Sequence, residues 1–470
     1  MVIERLRTSA VEPVDGASLF LFRIALGALL LVGVGRLFAY GWIHQLYVEP
    51  TFFFSYWGLS WIKPWPGLGM YVHMSALGLA AVALMVGFHH RVAAAAAWLL
   101  FTYVELLDKS AYLNHYYLAS LILALMVFMP LGRGWSVDDA RRPDVGKPTV
   151  PRWCLWTLRL QFGLVYFYAG VAKLGSDWLL SAQPLKTWFV ANADAPFVGP
   201  LLALPWVAHA ASWFGAIFDL TLPFWLSWPR SRSYAFVVAL IFHATTAALF
   251  QLGMFPFIMM AGATLFFDPD WPRRLGKGRY GDSTPATPPR APAPPLPRWT
   301  FVLIAAHFAI QAIVPLRHFA YPQDTLWTEE GFRFAWRVML VEKAGYVVFH
   351  VVDPDTERRW LVYPRDYLTP LQQKVFATQP DMILQLAHHV ADDFRARGRG
   401  NVEVRAEAYV AMNGRRSAML IDPEVDLARE HDGFVPKPWI LPNALSPRSH
   451  RGGSTDDLSS PIKSSRTDNG

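Results

Sequence analysis

The sequence predicts a mainly α fold: a polytopic helical membrane protein of about nine transmembrane helices, with a small α+β extracytoplasmic C-terminal domain. Three observations predict it. Apolar runs long enough to cross a bilayer recur between residues 17 and 315. The 470 residues are 53% hydrophobic and 17% charged, below the share of about 25% usual in soluble domains. Lysine and arginine collect in every second loop between the apolar runs, as loops on one side of a membrane do.

In chain order the expected spans are 17–38, 70–87, 92–107, 116–130, 153–174, 207–227, 234–250, 254–267 and 301–315. The first begins near Ala17 and is long enough to span, so it reads as a retained helix rather than a cleaved signal. Short runs such as 254–267 fit partial or tilted spans. Arg5 and Arg7 precede the first span, and Arg91 lies between the second and third. Arg133, Arg141, Arg142, Lys147 and Arg152 lie between the fourth and fifth, and Arg230 and Arg232 between the sixth and seventh. Arg273, Arg274, Lys277, Arg279, Arg290 and Arg298 lie between the eighth and ninth, whereas the alternate loops hold Lys63, Lys109 and Lys186. The expectation is a multi-pass cell-membrane protein with a cytoplasmic N-terminus and an extracytoplasmic C-terminal domain. The net charge of +7 falls largely in these loops, so it argues for orientation and against nucleic-acid binding.

Between the first two spans, residues 42–66 are dense in Trp, Phe and Pro, including Phe52, Phe53, Phe54, Tyr56 and Trp57. They read as an interfacial aromatic belt or as the lining of a route to a lipid-facing cavity. Residues 283–297 are rich in Pro and Ala and read as a linker. After Pro315 charge rises and long apolar runs stop. Residues 346–352 and 359–363 flank Asp353-Pro354-Asp355-Thr356 and predict a hairpin. Thr369-Pro370 starts a helix, 382–396 has helical spacing, and Asn413-Gly414 predicts a tight turn between 402–412 and 417–421. The expected units are therefore 1–316 in the membrane, 317–445 outside it, and a disordered tail over 446–470.

Three polar clusters interrupt the apolar runs. Lys173 stands near the far end of the fifth span, where a lysine at a helix centre would cost roughly 2.5–3.5 kcal/mol. Two readings compete: the amine snorkels to headgroups, or it serves as a base, since apolar surroundings weaken an amine's hold on its proton. Asp177, four residues on, could pair with it unless Gly175 ends the helix first. The second cluster is Asp108, Lys109, Asn114, His115 and Tyr116: either a hydrogen-bonding pocket or an interfacial loop with belt tyrosines. The third is His243, a histidine inside an apolar run. The single cysteine, Cys154, cannot form an intrachain disulfide, and with no His-Glu-x-x-His spacing no metal site is expected.

Taken together, these stretches resemble the vitamin K-dependent gamma-carboxylase family and its bacterial relatives with the horizontally transferred transmembrane (HTTM) domain. The resemblance rests on Leu107-Asp-Lys-Ser-Ala-Tyr-Leu-Asn-His-Tyr-Tyr-Leu118, Phe167-Tyr-Ala-Gly-Val-Ala-Lys-Leu-Gly-Ser-Asp-Trp178, and Phe242-His243 with Gly253-Met-Phe-Pro256. Leu316-Arg-His-Phe319 and Leu326-Trp-Thr-Glu-Glu-Gly-Phe-Arg-Phe-Ala-Trp336 are also similar, so the match runs over roughly 17–350. It implies that Lys173 is the weak base acting on vitamin K hydroquinone (or menaquinol). It also implies that Asn114 and His115 sit beside the quinone, His115 also counting as catalytic, and that His243 and Tyr116 line the same cavity. O2 and CO2 would be co-substrates. An oxygenated intermediate would remove a γ proton from a glutamate in a protein or peptide substrate, the carbanion would capture CO2, and the quinone would leave as its epoxide. Such carbon–carbon lyase chemistry needs a cofactor for the hard step, since a side chain of near-neutral pKa cannot remove so weakly acidic a proton. The partners implied are membrane lipid, a lipid-soluble quinone and a glutamate-bearing substrate. The chain departs from animal carboxylases in having Ala172 rather than a second lysine before Lys173, no cysteine pair, and a short soluble domain. Quinol epoxidation without carboxylation, or a non-catalytic or transport role on the same scaffold, are the alternatives.

Overall fold

A computed structural model describes residues 8–141, 148–196, 198–250, 252–276 and 298–443. The expected linker over 283–297 and tail over 446–470 lie outside the described residues, as do Arg5, Arg7, Arg142, Lys147, Lys277, Arg279 and Arg290.

A helix stands at each expected place among the described residues. In chain order these are α1 (Ala17–Ala39), α2 (Gly69–Val86), α3 (His90–Glu105), α4 (Asn114–Phe128) and α5 (Arg152–Ala172). They are followed by α6 (Pro205–Ser227), α7 (Arg232–Leu249), α8 (Phe255–Thr264) and α9 (Arg298–Ile313). Four stretches are long and apolar enough to cross a membrane: Ala17–Ala39, Gly69–Val86, Arg232–Leu249 and Trp299–Ala320. Helix α8 has 10 residues and rises about 15 Å, half of a hydrocarbon layer of about 30 Å. It therefore enters the bundle without crossing it alone. The helices share one apolar core through Phe22, Leu118, Phe162, Phe218 and Met259, and Phe22 meets Phe162 edge to face at 5.9 Å. Large apolar side chains such as Val72, Leu79, Trp206, Phe224 and Tyr234 point outward, which suits a surface that lipid rather than water covers.

The C-terminal region is an antiparallel four-stranded sheet of order β2–β1–β3–β4, with β1 Lys343–Val352, β2 Arg359–Val362, β3 Glu403–Met412 and β4 Ala418–Met419. Both expected hairpins form, in the registers Phe349↔Val362 and Tyr409↔Met419. Asn413 and Gly414 both take positive φ, the backbone that a two-residue hairpin turn requires. Along β3 the buried residues alternate, with Val404, Ala406, Ala408, Val410 and Met412 facing inward. They share a core with Ile383, Leu386, Ala387 and Val390 of α11 (Pro380–Ala396), which follows α10 (Pro370–Phe376). Thr369 caps α10, exchanging hydrogen bonds with Gln372.

Residues 42–66 divide their roles. Trp61 and Trp65 stay exposed, as a belt requires. Phe54 instead is fully buried in the C-terminal core, stacked on Phe376 at 5.9 Å, and its carbonyl accepts the Lys109 backbone N–H at 2.8 Å. The segment thus links the loop before α4 to the sheet region.

Candidate functional site

Helix α5 ends at Ala172, leaving Lys173 as its cap, 5% exposed. Its Nζ donates to Asp219 Oδ2 at 2.7 Å and to the Ala169 carbonyl at 3.3 Å, and it stands 5.2 Å from the Trp178 ring centre. Asp219 belongs to α6 and is 6% exposed. The two helices can bring these groups together because α5 carries Gly170 at their crossing. A Cβ there would stand 2.6 Å from the Leu220 backbone nitrogen. The turn after Lys173 is stapled to α6 as well: Trp178 Nε1 donates to the Ser212 carbonyl at 2.7 Å, and the Ser212 hydroxyl donates to the Trp178 carbonyl.

The lysine therefore does not snorkel, and its carboxylate partner is not the one its spacing suggested. Gly175 opens a new short turn, Ser176–Leu179, which turns Asp177 away. Asp177 accepts from Arg415 Nη1 at 2.7 Å and Asn413 Nδ2 at 2.9 Å, in the turn between β3 and β4. Burial works against its charge, but these hydrogen bonds outweigh burial and hold its carboxyl below the usual range.

Histidine 243 lies on α7, 2% exposed, with Nε2 2.7 Å from the Tyr166 hydroxyl of α5. Its Nδ1 is buried and has no hydrogen-bond partner among the described residues. Its walls are aromatic: Phe242, Phe218 and Phe255 have ring centres 5.3, 6.3 and 6.2 Å away. The Phe255 ring reaches the other half of the site, lying 5.9 Å from His115 at the start of α4. Gly253, at φ +58°, lets the chain pass this histidine: a side chain there would begin 3.6 Å from His115 Nε2. Asn114 is oriented from both ends, accepting from the Tyr112 hydroxyl at 3.0 Å and donating from Nδ2 to the Arg337 carbonyl at 3.0 Å. Tyr116 sits at the rim, 36% exposed, edge-on to His115 at 4.6 Å.

His243 and His115 thus meet across Phe255, with Asn114 preceding His115 in the chain, while the Lys173–Asp219 pair joins α5 and α6, the helices whose Tyr166 and Phe218 face His243. Sequence reasoning missed Asp219 and Tyr166, and it quoted Phe255 only within the Gly253–Pro256 motif, without a role. Asp219 did carry a signal, being the sole acid in a 23-residue apolar helix. Sequence reasoning singled out 326–336 for resemblance alone and did not foresee that the loop over 329–339 packs into the bundle. There Glu329, Phe334, Trp336 and Met339 all hold positive φ, 62°, 61°, 55° and 55°. Such backbone persists only where packing enforces it. Trp336 is fully buried in the bundle core and stacks on Tyr117 at 5.0 Å, while the Phe334 N–H donates to the Tyr112 hydroxyl at 2.8 Å. No group of three metal-binding side chains occurs among the described residues.

Residues 11–271 match the family model of the HTTM domain, and residues 296–445 match that of the vitamin K-dependent gamma-carboxylase lumenal domain. The chain belongs to the vitamin K-dependent gamma-carboxylase family. No solved structure matches it. In this gamma-carboxylase family member the two matched regions are joined by buried polar ties. Lys109 and Arg333 share Asp381 at 2.7 and 2.8 Å, and Gln372 donates to Asp108 at 2.8 Å. The residues along the aromatic region also fit the cofactor class the family uses. A planar apolar ring with oxygens at both ends needs aromatic walls and a few polar groups, and His243 Nδ1 is a buried nitrogen still lacking a partner.

Proposed function

We propose that this chain is an integral-membrane, vitamin K-dependent gamma-glutamyl carboxylase-like enzyme, its nine helices in the bilayer and its C-terminal region extracytoplasmic. The observation that carries the reading is the buried Lys173–Asp219 pair between α5 and α6, the helices whose Tyr166 and Phe218 also face His243; His243 in turn meets His115 across Phe255.

The chemistry of the pair follows from its charge count. One amine and one carboxylate, both buried, share protons with a net charge of zero. The pair can take up one more proton and become positive as the quinol beside it becomes negative, so the dry site as a whole gains no net charge. Lys173 is the end of the pair that reaches the quinol in this proposal, and Asp219 orients it and stores the second proton. Asn114, its amide clamped by Tyr112 and the Arg337 carbonyl, and His115 hold the quinol oxygens. Tyr166 fixes the His243 ring through Nε2, leaving Nδ1 to meet the cofactor. Trp336, Tyr117, Phe218 and Phe255 exclude water. The hydroquinone (or menaquinol), when bound, supplies with O2 the strong base that no side chain can, and CO2 adds to the glutamate carbon.

Purified protein given reduced vitamin K, O2 and bicarbonate is expected to form quinone epoxide, and Lys173→Ala is expected not to. Epoxide no higher than in a boiled control sinks the proposal. Incorporation of labelled CO2 into a glutamate peptide distinguishes carboxylation from epoxidation alone.

A further inference from the structure

The loop carrying Trp336 continues across the site. Trp336 packs in the bundle core on Tyr117, one turn after Asn114, whereas Leu340 is buried in the apolar cluster that also holds Trp178, the ring beside Lys173. Arg337 lies between these two anchors, and Asn114 grips its carbonyl. Its side chain therefore departs from a fixed backbone point between the two halves of the site.

That side chain is unsatisfied. Arg337 is half-buried, and its Nε is fully buried with no hydrogen-bond partner. Among the described residues the guanidinium makes no ion pair. Of the nearby acids, Glu329 binds Lys343 through Oε1 at 2.5 Å and leaves Oε2 buried without a hydrogen-bond partner, and Asp324 accepts the Leu326 N–H at 3.0 Å; neither forms an ion pair with Arg337. Arg317, close enough to act on Arg337 electrostatically, adds positive charge while its own nitrogens donate to the Val314 and Arg333 carbonyls. A half-buried guanidinium with a buried unpaired nitrogen calls for an acceptor, and its planar fork matches a carboxylate.

We propose that Arg337 is the receptor for the carboxylate of a substrate glutamate side chain, with Arg317 deepening the positive potential around it. This assignment rests on the carboxylase-like reading of the same site. It explains how an anionic side chain can be drawn beside a dry, aromatic site and held there. The amine of Lys173 is engaged by Asp219, so Arg337, which makes no ion pair among the described residues, is the cation that this proposal gives the incoming anion.

The test uses the full chain in nanodiscs of phosphatidylcholine alone, so that no anionic headgroup competes. Binding of an N-acetylated, C-amidated peptide with one glutamate is measured by thermophoresis without quinol, next to the same peptide with glutamine. Wild type is expected to prefer the glutamate peptide. Arg337→Gln is expected to weaken that peptide about 10- to 100-fold, the value of a charged hydrogen-bonded contact, while leaving the glutamine peptide unchanged. Arg337→Lys is expected to recover part of the loss. Both variants keep the backbone carbonyl that Asn114 grips, and their elution and melting are compared with wild type. Equal glutamate-peptide binding by wild type and a folded Arg337→Gln, or no preference in wild type, overturns the assignment. Because binding is read without quinol, failure of epoxide formation tests the carboxylase-like reading separately.

Discussion

Two lysines in this protein are almost equally buried, Lys173 at 5% and Lys109 at 4% exposed, and they stand in opposite electrostatic settings. Lys173 has one carboxylate, Asp219, to itself. Lys109 shares Asp381 with Arg333, so two cations surround one acid. Burial of Asp381 works against its charge, but Arg333 and Lys109 outweigh burial and hold its carboxyl far below the usual range. The Lys109 cluster is a fixed positive tie between the loop before α4 and α11. The Lys173 pair is neutral overall, and in the proposed chemistry it takes up the proton of the quinol. Burial of a lysine therefore does not by itself mark a base; the charge count around it must also leave room for a proton, as the proposed role of Lys173 requires.

The largest effect should come from breaking the neutral pair. Lys173→Met is expected to lower epoxide formation about 10²- to 10⁴-fold, the usual share of a positioned base. It should also lower stability by about 3–5 kcal/mol, because Asp219 is left buried without its cation. Lys173→Met with Asp219→Leu should recover the melting temperature but not the epoxide. Epoxide formation by that double variant would remove Lys173 from the proposed chemistry.

The shared acid tests the other side of the comparison. Asp381→Asn leaves two buried cations without a carboxylate and is expected to cost about 3–5 kcal/mol in denaturant or thermal unfolding. Lys109→Met keeps the Asp381–Arg333 contact and should cost about 1.5–3 kcal/mol. It should leave epoxide formation per folded molecule unchanged; a loss matching that of Lys173→Met would erase the distinction between the two lysines.

Asp177 supplies a pH arm. Its folded carboxyl lies below the unfolded value of about 3.9, so its stabilising contribution is present above that pH and disappears as pH falls through the lower folded value. Asp177→Asn is expected to lose about 1.5–3 kcal/mol at pH 7. Melting curves of the variant and wild type should converge as pH drops below about 4. Parallel curves over that range would count against the Arg415 contact.

The smallest change expected is Tyr166→Phe. It removes one hydrogen bond to His243, about 0.5–1.5 kcal/mol, and frees that ring to turn. The readout is a modest melting shift together with a raised quinol KM; an unchanged KM would mean that the His243 orientation does not matter to the cofactor.

The order and place of the helices were legible because apolar runs and alternating basic loops are one-dimensional signals. So were the cap at Thr369 and the turn at Asn413-Gly414, where a local hydrogen bond or a positive φ selects the residue. Lys173, Asn114, His115 and His243 could be singled out as polar groups in or beside apolar segments. Their partners could not. Helical spacing pointed Lys173 at Asp177, but the helix ends first, and the carboxylate it meets lies 46 residues away on a helix admitted by Gly170. Asn114 is oriented by a carbonyl 223 residues away, on a loop whose backbone only the surrounding packing can hold. Local sequence thus determined which segments become helices and which polar groups they carry. Tertiary packing decided which charge faces which, because a buried charge is matched through space by whichever helix can approach it closely enough.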